Sequence, residues 1–346
     1  MYKRQHFPGA PIILGRETIA GGILRGVIAN SKVSNVATGA TGVQHARRMA
    51  RAAAAELGTS ADRILVSSTG VIGVPLPIEK IETGVVGMAA DLQDNPMVGA
   101  EGIMTTDSHP KALSASVGEA TITWVAKGSG MIEPNMATML SYIFTDAAFD
   151  APTLDRLLRA AVAPSFNMLS VDTDTSTSDT CAILANGLAG PVDEAEFLQL
   201  LVAGCTRMTE ILARDGEGAE HLLRVHVRGA KDTREAYTVA KSIVNSPLVK
   251  TMVHGADPNV GRLLMAVGKC FDCTIHPDRT DAWINGFQVV GRGERLTFDD
   301  AIVRETLSRE VVDIAVALGA GEAHATAYGC DFTKGYIEEN AAYYSS

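Results

Sequence analysis

The stretch from residue 127 to residue 140 holds the residues with the clearest chemical potential. It reads Lys-Gly-Ser-Gly-Met-Ile-Glu-Pro-Asn-Met-Ala-Thr-Met-Leu, so glycines and a proline lead to a small-residue step between Ala137 and Thr138. The apolar run at 139–144 predicts a buried strand. A hydroxyl at the start of a buried strand, entered through a loop that can bend sharply, is a candidate nucleophile. The same pattern also fits a threonine that only begins a strand, because β-branched residues favour strands.

The turn at Thr69 and Gly70 is a second candidate, because it directly follows the predicted strand 63–67. A turn just past a strand end can leave backbone N–H groups and a hydroxyl without partners in the protein. Such donors can stabilise an oxyanion or merely bind water, and the residues alone favour the binding of water.

A third polar cluster is the run of nine successive Asp, Ser and Thr residues at 172–180, between two apolar segments that predict strands. Short hydroxyls and carboxylates bond to both backbone and ligands, so the run fits either a solvated loop or the lining of a polar cavity. Glu217 stands between two glycines after a predicted helix, and the turn there exposes a single carboxylate.

Composition and charge narrow the class of protein. The 346 residues carry a formal net charge of −10 and no block of basic residues, which argues against nucleic acid and anionic membrane surfaces as partners. No apolar run approaches a membrane span and no signal-peptide pattern opens the chain, so we expect a cytoplasmic enzyme. Five cysteines form an odd set, which indicates reduced thiols. Cys270 and Cys273 have metal-ligand spacing, but no second pair completes a site, and we predict no metal.

Helical and strand patterns surround these candidates. Apolar periodicity, alternation and breaker residues predict helices at 43–57, 78–88, 151–162, 194–213, 236–244, 260–267 and 299–308. They predict strands at 10–15, 26–30, 63–67, 102–107, 117–125, 221–228, 311–318 and 323–328, others near Cys273, Trp283 and Val289, and a polar tail at 340–346. Asp150 precedes the helix at 151–162 as its N-cap. The mix of elements changes near 218–222, which predicts a domain boundary there.

Several motifs together resemble the ornithine acetyltransferase family, the bifunctional acetyltransferases of arginine biosynthesis. They lie in the family's order along nearly the whole chain. Besides the stretch at 127–140, they are Ser67-Ser-Thr-Gly-Val-Ile-Gly, Met104-Thr-Thr-Asp, the run at 171–180, Asp215-Gly-Glu-Gly-Ala, Val244-Asn-Ser-Pro-Leu-Val-Lys and His254-Gly-Ala-Asp-Pro-Asn.

The resemblance implies an α/β (α+β) fold with two domains. Residues 1–220 would form a four-layer αββα sandwich of the ornithine acetyltransferase/aminopeptidase type that holds the nucleophile. We expect this domain to lack its N-terminal segment, because the chain opens on an apolar segment typical of a domain interior. Residues 221–346 would form a smaller C-terminal α+β domain whose tail contributes to the active site.

The resemblance also implies self-cleavage between Ala137 and Thr138, started by the Thr138 hydroxyl. The amine thus created on Thr138 would act as the base for that hydroxyl, since a free α-amine titrates at about 7.7–8.0. The mature enzyme would then move an acetyl group from N2-acetyl-L-ornithine to L-glutamate by a ping-pong mechanism through acetyl-Thr138.

Carried over position by position, the family's oxyanion donors are Thr69 and Gly70. The substrate contacts are Thr105, Lys127, Thr138, Glu217, Asn340 and Ser345. This set suits an amino acid, because a lysine pairs with a carboxylate and a glutamate with an ammonium group. No cofactor is implied, although acetyl-CoA is a possible alternative acetyl donor.

The resemblance implies amino-acid substrates and an α2β2 or larger assembly of the two cleaved chains. Three alternatives stay open at this point. Glu133 and Thr173 are reminiscent of family members in antibiotic-type gene clusters, which favours a secondary-metabolism acetyltransferase with another amino-acid donor. Relatives of the fold act as N-terminal-nucleophile amidases or aminopeptidases, in which water takes the acyl group. A catalytically silent, binding-only member is the third.

Overall fold

The computed structural model describes residues 6–133 and 139–342, and these residues form two compact units. Of the described residues, the first unit holds 6–128, 139–163 and 175–208, and the second holds 129–133, 164–174 and 209–342. The chain therefore passes between the units several times. The domain division at residue 220 stays a prediction.

Helices and strands are mixed along the described chain. The helices are α1 (Ala10–Ala20), α2 (Gly39–Glu56), α3 (Ile78–Val85), α4 (Pro96–Gly102), α5 (Ala151–Val162), α6 (Glu194–Arg214), α7 (Thr233–Val244), α8 (Pro247–His254), α9 (Gly261–Gly268), α10 (Asp300–Leu307) and α11 (Lys334–Ala342). The strands are β1 (Gly26–Asn30), β2 (Ile64–Ser68), β3 (Lys111–Val117), β4 (Ala120–Lys127), β5 (Leu140–Ala147), β6 (Leu169–Ser170), β7 (Thr180–Gly190), β8 (Leu222–Ala230), β9 (Asp281–Ile284), β10 (Phe287–Gly291), β11 (Glu294–Arg295), β12 (Val311–Ala317) and β13 (Ala323–Cys330).

The first unit contains a parallel pair, β1 and β2, and a four-stranded sheet in the order β3-β4-β5-β7. Its strand pairs β3–β4 and β4–β5 are antiparallel, whereas β5 and β7 run parallel. The register places Lys127 opposite Leu140, and Leu140 opposite Thr180. The end of β4 and the starts of β5 and β7 therefore lie side by side at the same end of this sheet.

Helix α2 packs on the parallel pair because its small apolar residues recur at helical spacing. Ala46, Met49, Ala50 and Ala53 are buried in one cluster with residues of α1 and β2. Short side chains let the helix backbone approach the sheet closely, which is the arrangement that an alanine-rich amphipathic pattern predicts.

The second unit is built on a seven-stranded sheet in the order β11-β10-β9-β12-β8-β13-β6. Strand β8 shows the predicted alternation, since Leu223, Val225 and Val227 are all buried. Helix α7 supplies Ala236 and Val239 to the buried interior of the same unit.

The mixed α/β class is confirmed, and most predicted elements are present; the four-layer arrangement stays a prediction. Helix α5 begins where its pattern indicated, with the Asp150 carboxylate accepting the Thr153 N–H at 2.9 Å. No helix in the described ranges is both long and apolar enough to cross a membrane.

Two strand predictions are wrong. The segment from Ala10 is helix α1, because Pro11 lies in its first turn and Ala10, Leu14 and Thr18 recur at a spacing of four on its buried side. The segment 102–107 begins at the last residue of α4 and continues as a turn, so its apolar residues follow a helix instead of forming a strand.

Three further predictions need correction. The strand predicted at 117–125 is present as β4 from Ala120 onward, but its start is wrong, because Val117 ends β3 and a turn separates the two strands. No strand forms beside Cys273, where the described chain makes turns. Asn340 lies in α11 and not in an irregular tail.

Candidate active site

The buried carboxylate of Asp107 organises the polar end of the first unit. Its Oδ1 accepts hydrogen bonds from Lys111 Nζ at 2.7 Å and from the Gly128 amide at 2.6 Å. Its Oδ2 accepts the Thr105 amide at 3.1 Å. One carboxylate thus holds the backbone at Thr105 and at Gly128, the residue directly after Lys127.

Charge explains why this carboxylate stays ionised inside the protein. Burial acts to raise the pKa of Asp107, but the ammonium groups of Lys127 and Lys111 outweigh burial and hold the pKa below its ordinary value. The side chains of Asp107 and Lys111 are fully buried, and Lys127 Nζ lies 4.0 Å from Asp107 Oδ2.

Lys127 joins two of the predicted site residues. Its Nζ donates to the hydroxyl of Thr105 at 2.9 Å and to the hydroxyl of Thr69 at 3.3 Å. The structure therefore brings Thr69, Thr105 and Lys127 together at the end of β4. Since Lys127 is buried and already bonds to both hydroxyls, it orients neutral donors as well as supplying charge.

The turn after β2 offers fewer backbone donors than the sequence predicted. The Thr69 amide is not spare, because it donates to the Asn30 carbonyl at 3.0 Å and so extends the β1–β2 ladder. The Thr69 hydroxyl accepts from Lys127, which leaves its own proton able to point elsewhere. Within the described part of the chain, the Gly70 amide makes no hydrogen bond. The donors that this turn can offer are therefore one hydroxyl and one amide.

Only glycine fits at residue 70. Its φ of +125° lies outside the range of other residues, and a Cβ there would overlap the backbone of Lys32. Lys32 is itself left-handed, with φ 79°, and so are Asn35 (φ 53°) and Ala37 (φ 59°) in the same loop. The Val71 amide donates to the Lys32 carbonyl at 3.0 Å, so this loop supports the turn directly.

A small cavity of about 20 Å³ lies beside these donors and has room for about one water molecule. The lining residues are Thr69, Lys127, Met139, Leu140, Ser176, Ser178 and Asp179. Ser176, Ser178 and Asp179 are buried, so this half of the Asp/Ser/Thr run lines a polar cavity and is not a solvated loop. Met139 is the residue directly after Thr138, which with Ala137 lies outside the described residues.

The first half of the Asp/Ser/Thr run holds the loop at residues 129–133, within the second unit. The Asp172 carboxylate accepts the amides of Met131 at 2.6 Å, Ile132 at 2.8 Å and Asp174 at 3.2 Å. Burial raises the pKa of Asp172 despite these three bonds, and the Asp174 carboxylate adds to that rise. Met131 has φ 53°, so Asp172 holds a backbone conformation that methionine rarely adopts.

Glu217 and Asn340 form a second group of predicted residues, inside the second unit. Asn340 Nδ2 donates to Glu217 Oε2 at 2.7 Å, and the Glu217 amide donates to the Ser129 carbonyl at 2.9 Å. Gly130 lies directly against the Glu217 carboxylate, where any Cβ would overlap it. Glu217 is buried, contrary to the exposed carboxylate that the sequence predicted. Ser345 lies outside the described residues.

Sequence reasoning missed Asp107, Lys111 and Asp172 as organising residues. Asp107 and Lys111 are four residues apart but lie in a turn and at the start of β3, so helical spacing gives no signal for the pair. Asp172 bonds to residues about 40 positions earlier, and no local pattern encodes such a contact.

We predict that Asp107→Asn destabilises the protein by about 3–5 kcal/mol, because it leaves the Lys111 ammonium buried without its carboxylate. Denaturant unfolding measures this loss. The double variant Asp107→Asn/Lys111→Met should recover part of it, because it removes the stranded charge, and equal losses in single and double variants would contradict the ion pair.

The same variant predicts a change in acid stability. Because the folded pKa of Asp107 is lowered, its stabilisation is fully present above the unfolded pKa of about 3.9 and disappears as the pH falls through the folded value. The free energy of unfolding should therefore fall less steeply with acid in Asp107→Asn than in the wild type.

Comparison with known proteins identifies the family of this chain. The family model described as the ArgJ family matches residues 1–345. The chain is 45% identical over 345 residues to the arginine biosynthesis bifunctional protein ArgJ 2 of Nostoc sp., covering 99% of this chain and 89% of that protein. It is 43% identical over 351 residues to the glutamate N-acetyltransferase Oat2 of Streptomyces clavuligerus, again covering 99% of this chain and 89% of the relative.

A solved structure leads to the same family. The crystal structure of the arginine biosynthesis bifunctional protein ArgJ from Bacillus halodurans matches with a TM-score of 0.58 and 38% identity, covering 60% of this chain and 100% of that one. The resemblance read from the motifs is confirmed: this chain belongs to the ArgJ family.

Proposed function

We propose that this chain is a self-processing glutamate N-acetyltransferase that moves an acetyl group from N2-acetyl-L-ornithine to L-glutamate. The proposal rests on family membership and on the names of its relatives in arginine biosynthesis. The observation that carries it is the cavity that brings the donors Thr69 and Lys127 beside Met139, the next residue after Thr138.

Self-processing would come first. The Thr138 oxygen attacks the Ala137 carbonyl carbon, and the peptide C–N bond breaks as the carbonyl moves to the hydroxyl oxygen. Water then hydrolyses the resulting ester. The products are a carboxylate on Ala137 and a free α-amine on Thr138, so one reaction frees the nucleophile and creates its base.

The first half of the transfer forms acetyl-Thr138. The Thr138 oxygen attacks the acetyl carbonyl carbon of N-acetylornithine while its proton passes to the α-amine of the same residue. The tetrahedral oxyanion then collapses, the acetyl C–N bond breaks, and the proton passes to the leaving ornithine nitrogen. In the second half, the glutamate amine attacks the acetyl ester and the Thr138 oxygen regains its proton.

The oxyanion is stabilised by the Thr69 hydroxyl and the Gly70 amide. Because Lys127 donates to Thr69 Oγ1, the hydroxyl proton of Thr69 is available for the oxyanion. This contact also polarises the hydroxyl and makes it a stronger donor. Asp107 acts as a positioning residue, since it holds the backbone at both Thr105 and Gly128.

Glu217 and Asn340 suit the recognition of an amino acid. A buried carboxylate favours the ammonium group of ornithine or glutamate, and the neighbouring amide fixes the carboxylate's orientation. We assign Ser345 to the same task from the family resemblance. Use of acetyl-CoA as a second acetyl donor, the α2β2 assembly and the cytoplasmic location are further parts of the proposal.

The acceptor distinguishes a transferase from a hydrolase. We expect purified protein with N-acetylornithine to release one equivalent of ornithine in a burst and to turn over only when glutamate is added, with N-acetylglutamate formed in equal amount. Mass spectrometry should show an acetyl adduct on Thr138. Steady ornithine release that ignores glutamate would favour the amidase, and a faster reaction with another N-acetyl amino acid would favour the secondary-metabolism enzyme.

We predict that Thr138→Ala leaves a single intact chain of 36.4 kDa on a denaturing gel and has no transferase activity. Thr138→Ser should still cleave, more slowly, since it keeps the hydroxyl. An intact wild-type chain under all conditions, or transfer by Thr138→Ala, would show that Thr138 is not the nucleophile.

We predict that Thr69→Val lowers kcat by about 10²–10³-fold with little change in KM, because it removes an oxyanion donor and keeps the volume. Thr69→Ser keeps the hydroxyl and should retain most of the activity. Activity that Thr69→Val retains and Thr69→Ser loses would instead indicate that Thr69 acts only through the packing of its methyl group.

A further inference from the structure

We propose that Glu220, His221, His254 and Asp331 form a binding site for a divalent transition-metal ion of the Zn²⁺ class. These residues lie in the second unit, and the proposal is independent of the acetyltransferase function. Glu220, His221 and Asp331 present ligand atoms that all lie within 4.8 Å of one another.

Asp331 is the ligand whose carboxylate is held in place by backbone hydrogen bonds. It directly follows β13, and its amide donates to the carbonyl of His221, which directly precedes β8. Its buried Oδ1 accepts the amides of Glu220 at 2.9 Å and of His221 at 3.0 Å. These two bonds clamp the carboxylate and leave Oδ2 directed at the imidazoles, as supporting hydrogen bonds do for metal-ligating carboxylates.

Three separations between ligand atoms are close to those of tetrahedral coordination. Asp331 Oδ2 lies 3.0 Å from His221 Nδ1 and 3.3 Å from His254 Nδ1, and His254 Nδ1 lies 3.5 Å from Glu220 Oε2. A tetrahedral ion with bonds of about 2.0–2.1 Å separates neighbouring ligand atoms by roughly 3.3–3.4 Å. Two nitrogens and two oxygens are a donor set for Zn²⁺ or Co²⁺, whereas Mg²⁺ and Ca²⁺ prefer oxygen alone.

His254 provides the observation that a simple hydrogen-bonded cluster does not explain. Its Nδ1 is buried and makes no hydrogen bond in the described part of the chain, although two carboxylate oxygens lie within 3.5 Å. A hydrogen bond needs an N–H aimed at oxygen, whereas ligands of one ion aim their lone pairs at a common point between them. The neighbouring ammonium group, Lys250, donates to the Cys330 carbonyl.

The site is open to solvent on one side. Asp331 has no exposed side-chain surface, whereas the side chains of Glu220 and His254 are 61% and 34% exposed. An ion can enter past Glu220 and settle against Asp331. It would link the start of β8, the end of β13 and the C-terminus of α8, so its role would be structural.

Titration of the untagged, metal-free protein with Co²⁺ tests the proposal. We expect one equivalent to produce the visible absorption of tetrahedral Co²⁺, and Zn²⁺ to displace it and raise the thermal midpoint. A weak octahedral-type spectrum, or no saturable binding, would overturn the proposal.

Matched variants assign the ligands. His254→Gln and His221→Gln should weaken Co²⁺ binding by at least about 10-fold, since even outer-shell partners of metal ligands are worth about 10–100-fold. His226→Gln is the control, because His226 faces a single carboxylate, Asp313, at 3.3 Å in the same sheet. If His221→Gln fails to fold, His254→Gln alone tests the site, because His254 lies at the partly exposed end of α8. Unchanged affinity in His254→Gln, or an equal loss in His226→Gln, would refute the site.

Discussion

A carboxylate held inside the protein by two ammonium groups is the interaction on which the candidate site depends. Asp107 is fully buried, and a lone charge there would be costly, so Lys111 and Lys127 must both stay close. The same carboxylate also accepts hydrogen bonds from two backbone amides, so it both pairs with the ammonium groups and fixes the backbone around them. Lys127 in turn orients the hydroxyls of Thr105 and Thr69 by donating hydrogen bonds to them. The hydroxyls of the candidate site are thus positioned by Asp107, which holds Lys127 in place.

Local patterns predicted most of the fold because they depend on neighbours in sequence. Helix α5 needed only its apolar stripe and Asp150, and β8 needed only alternation. The prediction failed at Ala10–Gly15, where a short apolar run fits a strand and a helix equally well and Pro11 settles the matter as a helix start. It also failed at residues 102–107, which form the turn that follows α4.

The candidate site was predictable only in part, and through motifs. Thr69, Thr105 and Lys127 were found from the family resemblance, and the structure brings them within hydrogen-bond distance of one another through Lys127. The spare backbone donors were overestimated, because a turn's amide can still belong to the ladder, as that of Thr69 does. Asp331 and its imidazole neighbours gave no signal, since strand pairing unites residues 110 positions apart.

The loop that supports Gly70 can separate the temperature at which activity is lost from the temperature at which the protein melts. Lys32, Asn35 and Ala37 each adopt a backbone conformation that costs about 1–2 kcal/mol outside glycine. A strained loop opens at a lower free energy than the sheets around it. Warming would therefore release the turn at Thr69 and Gly70 while the core stays folded. Loss of turnover would precede melting, and the temperature optimum would report on this loop instead of on the stability of the whole protein.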